Sequence, residues 1–368
     1  MCFAESDKNR CMRVNVSVNM SKGIAIILMV LAHTNFSKAG VDVINMFHMP
    51  LFFFFSGYCF KESYLLNVKS FVWKRIKGAY VPFVTWSLLF LLLHNVFVHI
   101  HIYDVIYNST GIYSAGDICR RAMTIVFTMN ETEQLLGGYW FLHSYLLAAF
   151  ISFFVIYLSF PFQTKKNIVI LATACVFLLG CWLMLFFRVR VPYYVEAKEL
   201  LATFFMLAGY LYKQTSWHFE RYVWAVAPIC FLILFVGMHF GKCSMLTLTA
   251  TKMLWYAISA IAGVFLVFSI CQLISSVKIF EVSLSYVGTK TLGILTWHFL
   301  CFKFVSWILI LYYHLPIDRL SEFPVVTEYS SQGWWMLYLV AGLLLPIVID
   351  NSISIVSQKV KEKVHAVR

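Results

Sequence analysis

Charge is scarce in this chain: Asp, Glu, Lys and Arg make up 12% of its 368 residues, against 61% hydrophobic. Apolar segments near twenty residues long recur from residue 15 to residue 356. No soluble core hides that much apolar surface, so lipid is the expected solvent. A period-two alternation is also missing. Runs such as Leu88 to Leu93 and Leu343 to Ile349 are apolar throughout, which excludes the short alternating strands of a membrane β-barrel. The ten cysteines are scattered singly, with no CxxC pair and no zinc spacing, and read as small hydrophobes. Lys8, Arg10 and Arg13 precede the first apolar stretch, but no small-residue cleavage site follows it, so that stretch reads as a retained span. There is no internal repeat or low-complexity tract, and no water-soluble domain is expected after residue 356.

What remains is a helical membrane protein, because in a hydrocarbon core of about 30 Å every backbone polar group must be paired within its own segment. The predicted fold class is all-α, a polytopic integral membrane protein of about ten transmembrane helices. The candidate spans lie near 17–36, 44–60, 80–100, 139–159, 167–187, 199–212, 222–240, 253–275, 284–312 and 334–356. The stretch 284–312 is long enough to be broken or tilted, and 199–212 is short. Residues 1–368 form one membrane-embedded domain, with residues 1–16 as a terminal segment and 357–368 as a basic tail.

If the spans alternate from a cytoplasmic amino terminus, inner segments collect the larger share of the Lys and Arg. These include Lys61, Lys69, Lys74, Arg75 and Lys77 in one loop, and Lys359, Lys361, Lys363 and Arg368 in the tail. The positive-inside rule favours that orientation, with both termini cytoplasmic and the protein multi-pass in the cell (inner) membrane. The net charge of +12 is split among short loops beside spans, so topology and anionic membrane lipids explain it, and a nucleic-acid partner is not expected. In the outer segment 101–138, Ser114 is placed to cap a short amphipathic helix through Asp117, Arg120 and Arg121.

Ionisable residues inside spans are costly and mark candidate sites. His33 follows Lys22 by three helical turns, about 16 Å, on nearly the same face. Lys22 then marks the inner lip, and His33 lies well into the bilayer. A neutral imidazole titrates near working pH and suits a general base, although a histidine bonded between helices for structure fits the same position. His48 opens the second span just before Pro50, after a short turn, so the two imidazoles are expected to approach each other at similar depth. Lys290 and Lys303 lie inside the late span. His94, His99, His101 and His143 fall near outer ends, where water satisfies them, and no spacing supports a metal.

The stretch Lys22-Gly-Ile-Ala-Ile-Ile-Leu-Met-Val-Leu-Ala-His33, followed by Phe47-His48-Met49-Pro50-Leu-Phe-Phe-Phe-Phe-Ser56-Gly57-Tyr58, resembles the opening of the acyltransferase 3 family of membrane O-acyltransferases. Trp140-Phe141-Leu142, the run from Phe204 to Tyr210 with its Gly209-Tyr210 ending, and the run from Leu284 through Gly288 and Lys290 to His298 resemble its later motifs in the same order. The short form without an appended domain looks most like the sugar O-acetyltransferase branch.

The resemblance implies an acyl-CoA donor, usually acetyl-CoA, and an acceptor hydroxyl on a cell-surface polysaccharide or a lipid-linked saccharide precursor. It implies an essential histidine at His33, with Lys22 as the basic residue eleven positions earlier. Where the family commonly has two arginines three residues apart, this chain has Lys74, Arg75 and Lys77, which are expected to hold the CoA phosphates. Lysine does so as a point charge, without the bidentate fork of arginine. His48 joins His33 as a candidate catalytic residue. Thr34, Ser56 and His48 are candidate oxyanion donors by position alone. His298 matches a family position and either contacts substrate or packs. Trp140 either stacks on a sugar or belongs to the interfacial aromatic belt. His33 either removes the proton from the acceptor hydroxyl or carries the acyl group itself. A transporter or flippase of a lipid-linked glycan is the alternative, suggested by the long late span with its two lysines.

Overall fold

The computed structural model describes residues 2–107, 111–130, 133–189, 195–215, 222–240 and 242–366, except the side chains of 2–15, 360, 361 and 363–366. The basic residues read from the sequence as Lys8, Arg10, Arg13, Lys361, Lys363 and Arg368 therefore have side chains outside the described residues.

The chain is helical almost throughout, with no sheet among the described residues. The helices are α1 (Cys2–Ala32), α2 (Lys38–Asn45), α3 (His48–Tyr58), α4 (Ser63–Leu66), α5 (Val68–Arg75), α6 (Val81–His99), α7 (Ala115–Thr128) and α8 (Trp140–Ser159). They continue as α9 (Lys166–Phe187), α10 (Ala197–Gln214), α11 (Val223–Phe240), α12 (Ala250–Ile274), α13 (Lys278–Thr289), α14 (Thr291–Tyr313), α15 (Thr327–Tyr329) and α16 (Trp335–Ala366). Among the described residues, seven stretches are long and apolar enough to cross a membrane. One of them, Gln134–Phe187, contains both α8 and α9, which are joined at Gln163 in a non-helical conformation. The predicted stretch 284–312 is broken, as Lys290 leaves helical geometry between α13 and α14.

Two reciprocal glycine contacts set the packing around α1 and α3. A Cβ on Gly23 of α1 would fall 2.2 Å from the Leu284 carbonyl oxygen of α13, and one on Gly288 would fall 2.0 Å from that of Asn19. Likewise a Cβ on Gly57 of α3 would sit 1.8 Å from the Met206 oxygen of α10, and one on Gly209 would sit 1.9 Å from that of Phe54. Only a residue without a side chain lets backbones approach so closely, and in lipid such packing replaces the missing hydrophobic drive between helices. All four glycines lie in the stretches that carry the sequence resemblance.

Both lysines of the late span are paired. Lys290 reaches Asp350 of α16 at 2.8 Å, and Lys303 donates to the carbonyls of Leu320 and Glu322 at 3.0 and 2.6 Å. Their charges tie the α14–α16 connection to the bundle. In α3, Pro50 falls in the first turn, where a missing N–H removes none of the intrahelical bonds. The predicted amphipathic helix is α7, capped reciprocally by Ser114 and Asp117. At the end of the bundle that carries Lys74 and Arg75, Glu62 accepts from Lys166 at 2.9 Å and from Tyr210 at 2.8 Å. The lysine contact, then the tyrosine, holds the Glu62 carboxyl below its ordinary value. These bonds fix the segment after α3 to α9 and α10.

Replacing Gly209 with Val forces α10 away from α3, an overpacking that costs about 1–3 kcal/mol or more. Fluorescence-detected gel filtration of the detergent-solubilised variant after a heat step is expected to show early loss of the monodisperse peak. A wild-type melting profile would contradict the close contact.

Candidate active site

Helix α1 ends where His33 and Thr34 turn back onto it. The His33 amide bonds the Val30 carbonyl at 3.1 Å, the Thr34 hydroxyl bonds that of Leu31 at 2.8 Å, and Asn35 takes a left-handed conformation. The turn leaves the partly buried His33 ring against α14, with its centroid 4.8 Å from Phe299 and 5.6 Å from His298. His48, at the start of α3, lies close enough to His33 to interact electrostatically. The expected approach of His33 and His48 is present, and His298 joins them.

Backbone carbonyls fix the tautomers of the two flanking rings. His298 Nδ1 lies 3.0 Å from the Ile294 and Leu295 oxygens, and His48 Nδ1 lies 2.8 Å from that of Ile44. Carbonyls only accept, so each Nδ1 carries the proton and each Nε2 keeps a lone pair. His298 is fully buried, and its Nε2 has no partner among the described residues. An unpaired buried polar atom costs about 1–3 kcal/mol, which is tolerated where function needs the atom free.

Below the histidines a cavity of about 400 Å³ opens toward the basic end of the bundle. Lys22, Lys74, Arg75, Ser56 and Tyr145 give it a polar, cationic mouth, and Phe52, Leu142 and Leu292 line it further in. Met29 and Leu295 also line it. Met29 precedes His33 by one turn of α1, and Leu295 precedes His298 by nearly one turn of α14. Neither histidine borders the cavity, and Met29 and Leu295 are the lining residues about one helical turn from them.

The helix between Arg75 and α6 passes through one π turn, Ile76–Tyr80. Pro82 follows it and lacks the N–H that would bond the Gly78 carbonyl. Gly78 and Arg75 border the cavity, whereas Lys77 is exposed and does not. Arg75 donates a close hydrogen bond to the Tyr145 hydroxyl, and its guanidinium lies over the Phe71 and Tyr145 rings at 5.1 and 5.5 Å. The Ser56 hydroxyl donates to the same Tyr145 oxygen at 3.4 Å. Lys74 donates to the Tyr64 hydroxyl at 3.4 Å. Trp140 packs partly buried against an apolar cluster and does not line the cavity.

The structure thus gathers Lys22, Lys74 and Arg75 at one mouth and His33, His48 and His298 beyond its inner end, and leaves Lys77 and Trp140 aside. Sequence reasoning missed Tyr145. Its signal was position, since it follows Phe141 by four residues and so shares the α8 face that Phe141 presents to the cavity.

Two histidines expected to rely on water have protein partners instead. His94 is buried between Glu133 at 2.7 Å and the Gly111 carbonyl at 2.9 Å, and His143 lies 3.6 Å from Glu199. Outer-end position alone did not reveal that loop residues reach His94 or that α10 brings Glu199 to His143. Among the described residues, the one donor set close enough to ligate a cation is His101, Asp104 and Asp318, in the loops after α6 and α14.

A family model described as an acyltransferase domain matches residues 15–350 of the chain, which takes in both the cavity and the histidine cluster. The chain belongs to the acyltransferase 3 family. No curated protein and no solved structure gives a significant match. As a member of the acyltransferase 3 family, the chain is a multi-pass membrane acyltransferase.

A cationic mouth draws anions in and repels cations. Cys59 borders the cavity and is a free thiol. In a chain with Cys59 as its sole cysteine, a negatively charged methanethiosulfonate is expected to react severalfold faster than a positively charged one. The opposite order would contradict a cationic cavity.

Proposed function

We propose that the protein transfers an acetyl group from acetyl-CoA to a hydroxyl of a cell-surface polysaccharide or of its lipid-linked precursor. It does so in the cell (inner) membrane, with the Lys74 and Arg75 end facing the cytoplasm. The observation that carries this reading is the cavity that has Lys22, Lys74 and Arg75 at its mouth and Met29, one helical turn from His33, in its lining. In this reading the CoA phosphates lie on those three cations, of which Lys74 and Arg75 are oriented by the Tyr64 and Tyr145 hydroxyls. Arg75 supplies the planar fork that the lysines lack. The pantetheine arm follows the apolar wall inward. Rotation of Met29 and Leu295 brings the thioester carbonyl to the His33 ring, and the acceptor hydroxyl meets it from the opposite side.

The flippase alternative drew on Lys290 and Lys303. Both are held by partners that fasten the α14–α16 region, and no observation here favours transport.

His33→Ala is expected to insert and elute normally yet lose acetyl transfer from labelled acetyl-CoA to membrane glycan. An active His33→Ala preparation would sink the proposal. Arg75→Gln and Tyr145→Phe are expected to raise the Michaelis constant for acetyl-CoA, by about tenfold for the former, equivalent to about 1.4 kcal/mol, with a smaller change in kcat. Lys77→Gln is expected to leave it nearly unchanged. Equal effects at Lys77 and Arg75 would move the phosphate site out of the cavity.

A further inference from the structure

The two histidines that meet at the end of α1 are held differently. His298 has Nδ1 fixed by two carbonyls of its own helix, which leaves Nε2, on the far edge of the ring, buried and unpaired. The His33 ring touches His298 and Phe299 and has no hydrogen-bond partner among the described residues. A base works best with a fixed tautomer, a free lone pair and a partner on its other nitrogen that supports the imidazolium, whereas a nucleophile needs an unencumbered nitrogen. The pair presents one of each.

We infer that His33 carries the acyl group and that His298 is the base for its transfer to the acceptor. This rests on the reading of His33 as the acyl-transfer site. The donor cavity reaches Met29 and Leu295, one turn short of the histidines, which do not border it, an arrangement suited to a group handed across in two steps. Once His33 is acylated, its reacting nitrogen has no lone pair for the acceptor proton and its other nitrogen points away from the acyl carbon, so a neighbouring base is suited to take that proton. His298 is the histidine in ring contact with it. His48 also has a fixed tautomer but makes no ring contact with His33.

In the first step a His33 nitrogen attacks the thioester carbon. The C–N bond forms, the C–S bond breaks, and the proton on the other His33 nitrogen leaves with the sulfur as CoA thiol. In the second step the acceptor hydroxyl gives its proton to His298 Nε2 as its oxygen attacks the acyl carbon. The C–O bond forms and the C–N bond breaks. The proton then passes from His298 to the departing His33 nitrogen, which returns His298 to its starting form, leaves His33 as the other neutral tautomer, to be exchanged before the next turnover, and gives ester and CoA thiol as the products.

The test uses the full chain and [14C]acetyl-CoA. Without acceptor, wild type is expected to release CoA thiol in a burst of about one per chain and to hold the label, the fingerprint of an acyl-enzyme. His298→Gln is expected to keep the burst, while label reaching glycan in membrane vesicles that contain the cell's own polysaccharide falls on the order of 10²–10⁴-fold. His33→Gln is expected to lose both. The retained burst itself reports a folded site, and His298→Asn replaces the Gln variant if the latter elutes as aggregate. Wild-type transfer by the His298 variants, or joint loss of burst and transfer in a monodisperse variant, would overturn the base role. Glycan acetylation by wild type without any burst would overturn the carrier role and leave the proposed function standing. No acetyl transfer by wild type would instead remove the proposed function and the inference with it.

Discussion

The backbone contact between α1 and α13 sets the register on which the histidine cluster depends. Gly23 and Gly288 each place a missing Cβ against the other helix's backbone. From that point both chains run in the same direction. His33 lies ten positions after Gly23 on α1, about 15 Å along the helix, and His298 ten positions after Gly288 across the bend at Lys290. Equal spacings in sequence from a shared contact bring the two rings together. The α3·α10 contact at Gly57 and Gly209 does the same for the second wall, because it fixes the helix whose first residue is His48.

The same framework explains how a cationic mouth coexists with a buried reactive cluster in lipid. Lys22 is on α1 and Arg75 precedes α6, yet both border one cavity. Arg75 is held there by Tyr145 and by two aromatic faces, so its charge is oriented before any anion arrives. Such preorganisation lowers the ordering cost of binding. At the far end of the cavity, polar groups with helical carbonyl partners replace water. Charge is thus confined to the wet end, and neutral imidazoles occupy the dry one.

Much of the fold was legible because lipid leaves so few options. Apolar runs of span length, with no alternation, required helices. The placing of His48 in the neighbourhood of His33 followed from a short connection between two spans, and the reciprocal cap of α7 from Ser114 and Asp117 three residues apart. The break at Lys290 was visible only as excess length. The unread parts depended on contacts distant in sequence. Lys303 looked like an unpaired intramembrane charge until the loop carbonyls of Leu320 and Glu322 appeared beside it. Lys77 shares the charge of Lys74 and Arg75, but it follows Arg75 by two positions, on the other side of the helix, and is exposed outside the cavity. Tyr145 gave no signal apart from its spacing from Phe141, since its role depends on Arg75, seventy positions earlier.

One cavity leads from the basic end of the bundle to within about one helical turn of His33. A cryo-electron microscopy map of the full chain with a non-transferable acetyl-CoA thioether analogue tests it most directly. The account predicts phosphate density among Lys22, Lys74 and Arg75, with the acyl end displacing Met29 and Leu295 and lying against His33. Analogue density in another cavity, or an acyl end directed away from His33, would contradict it.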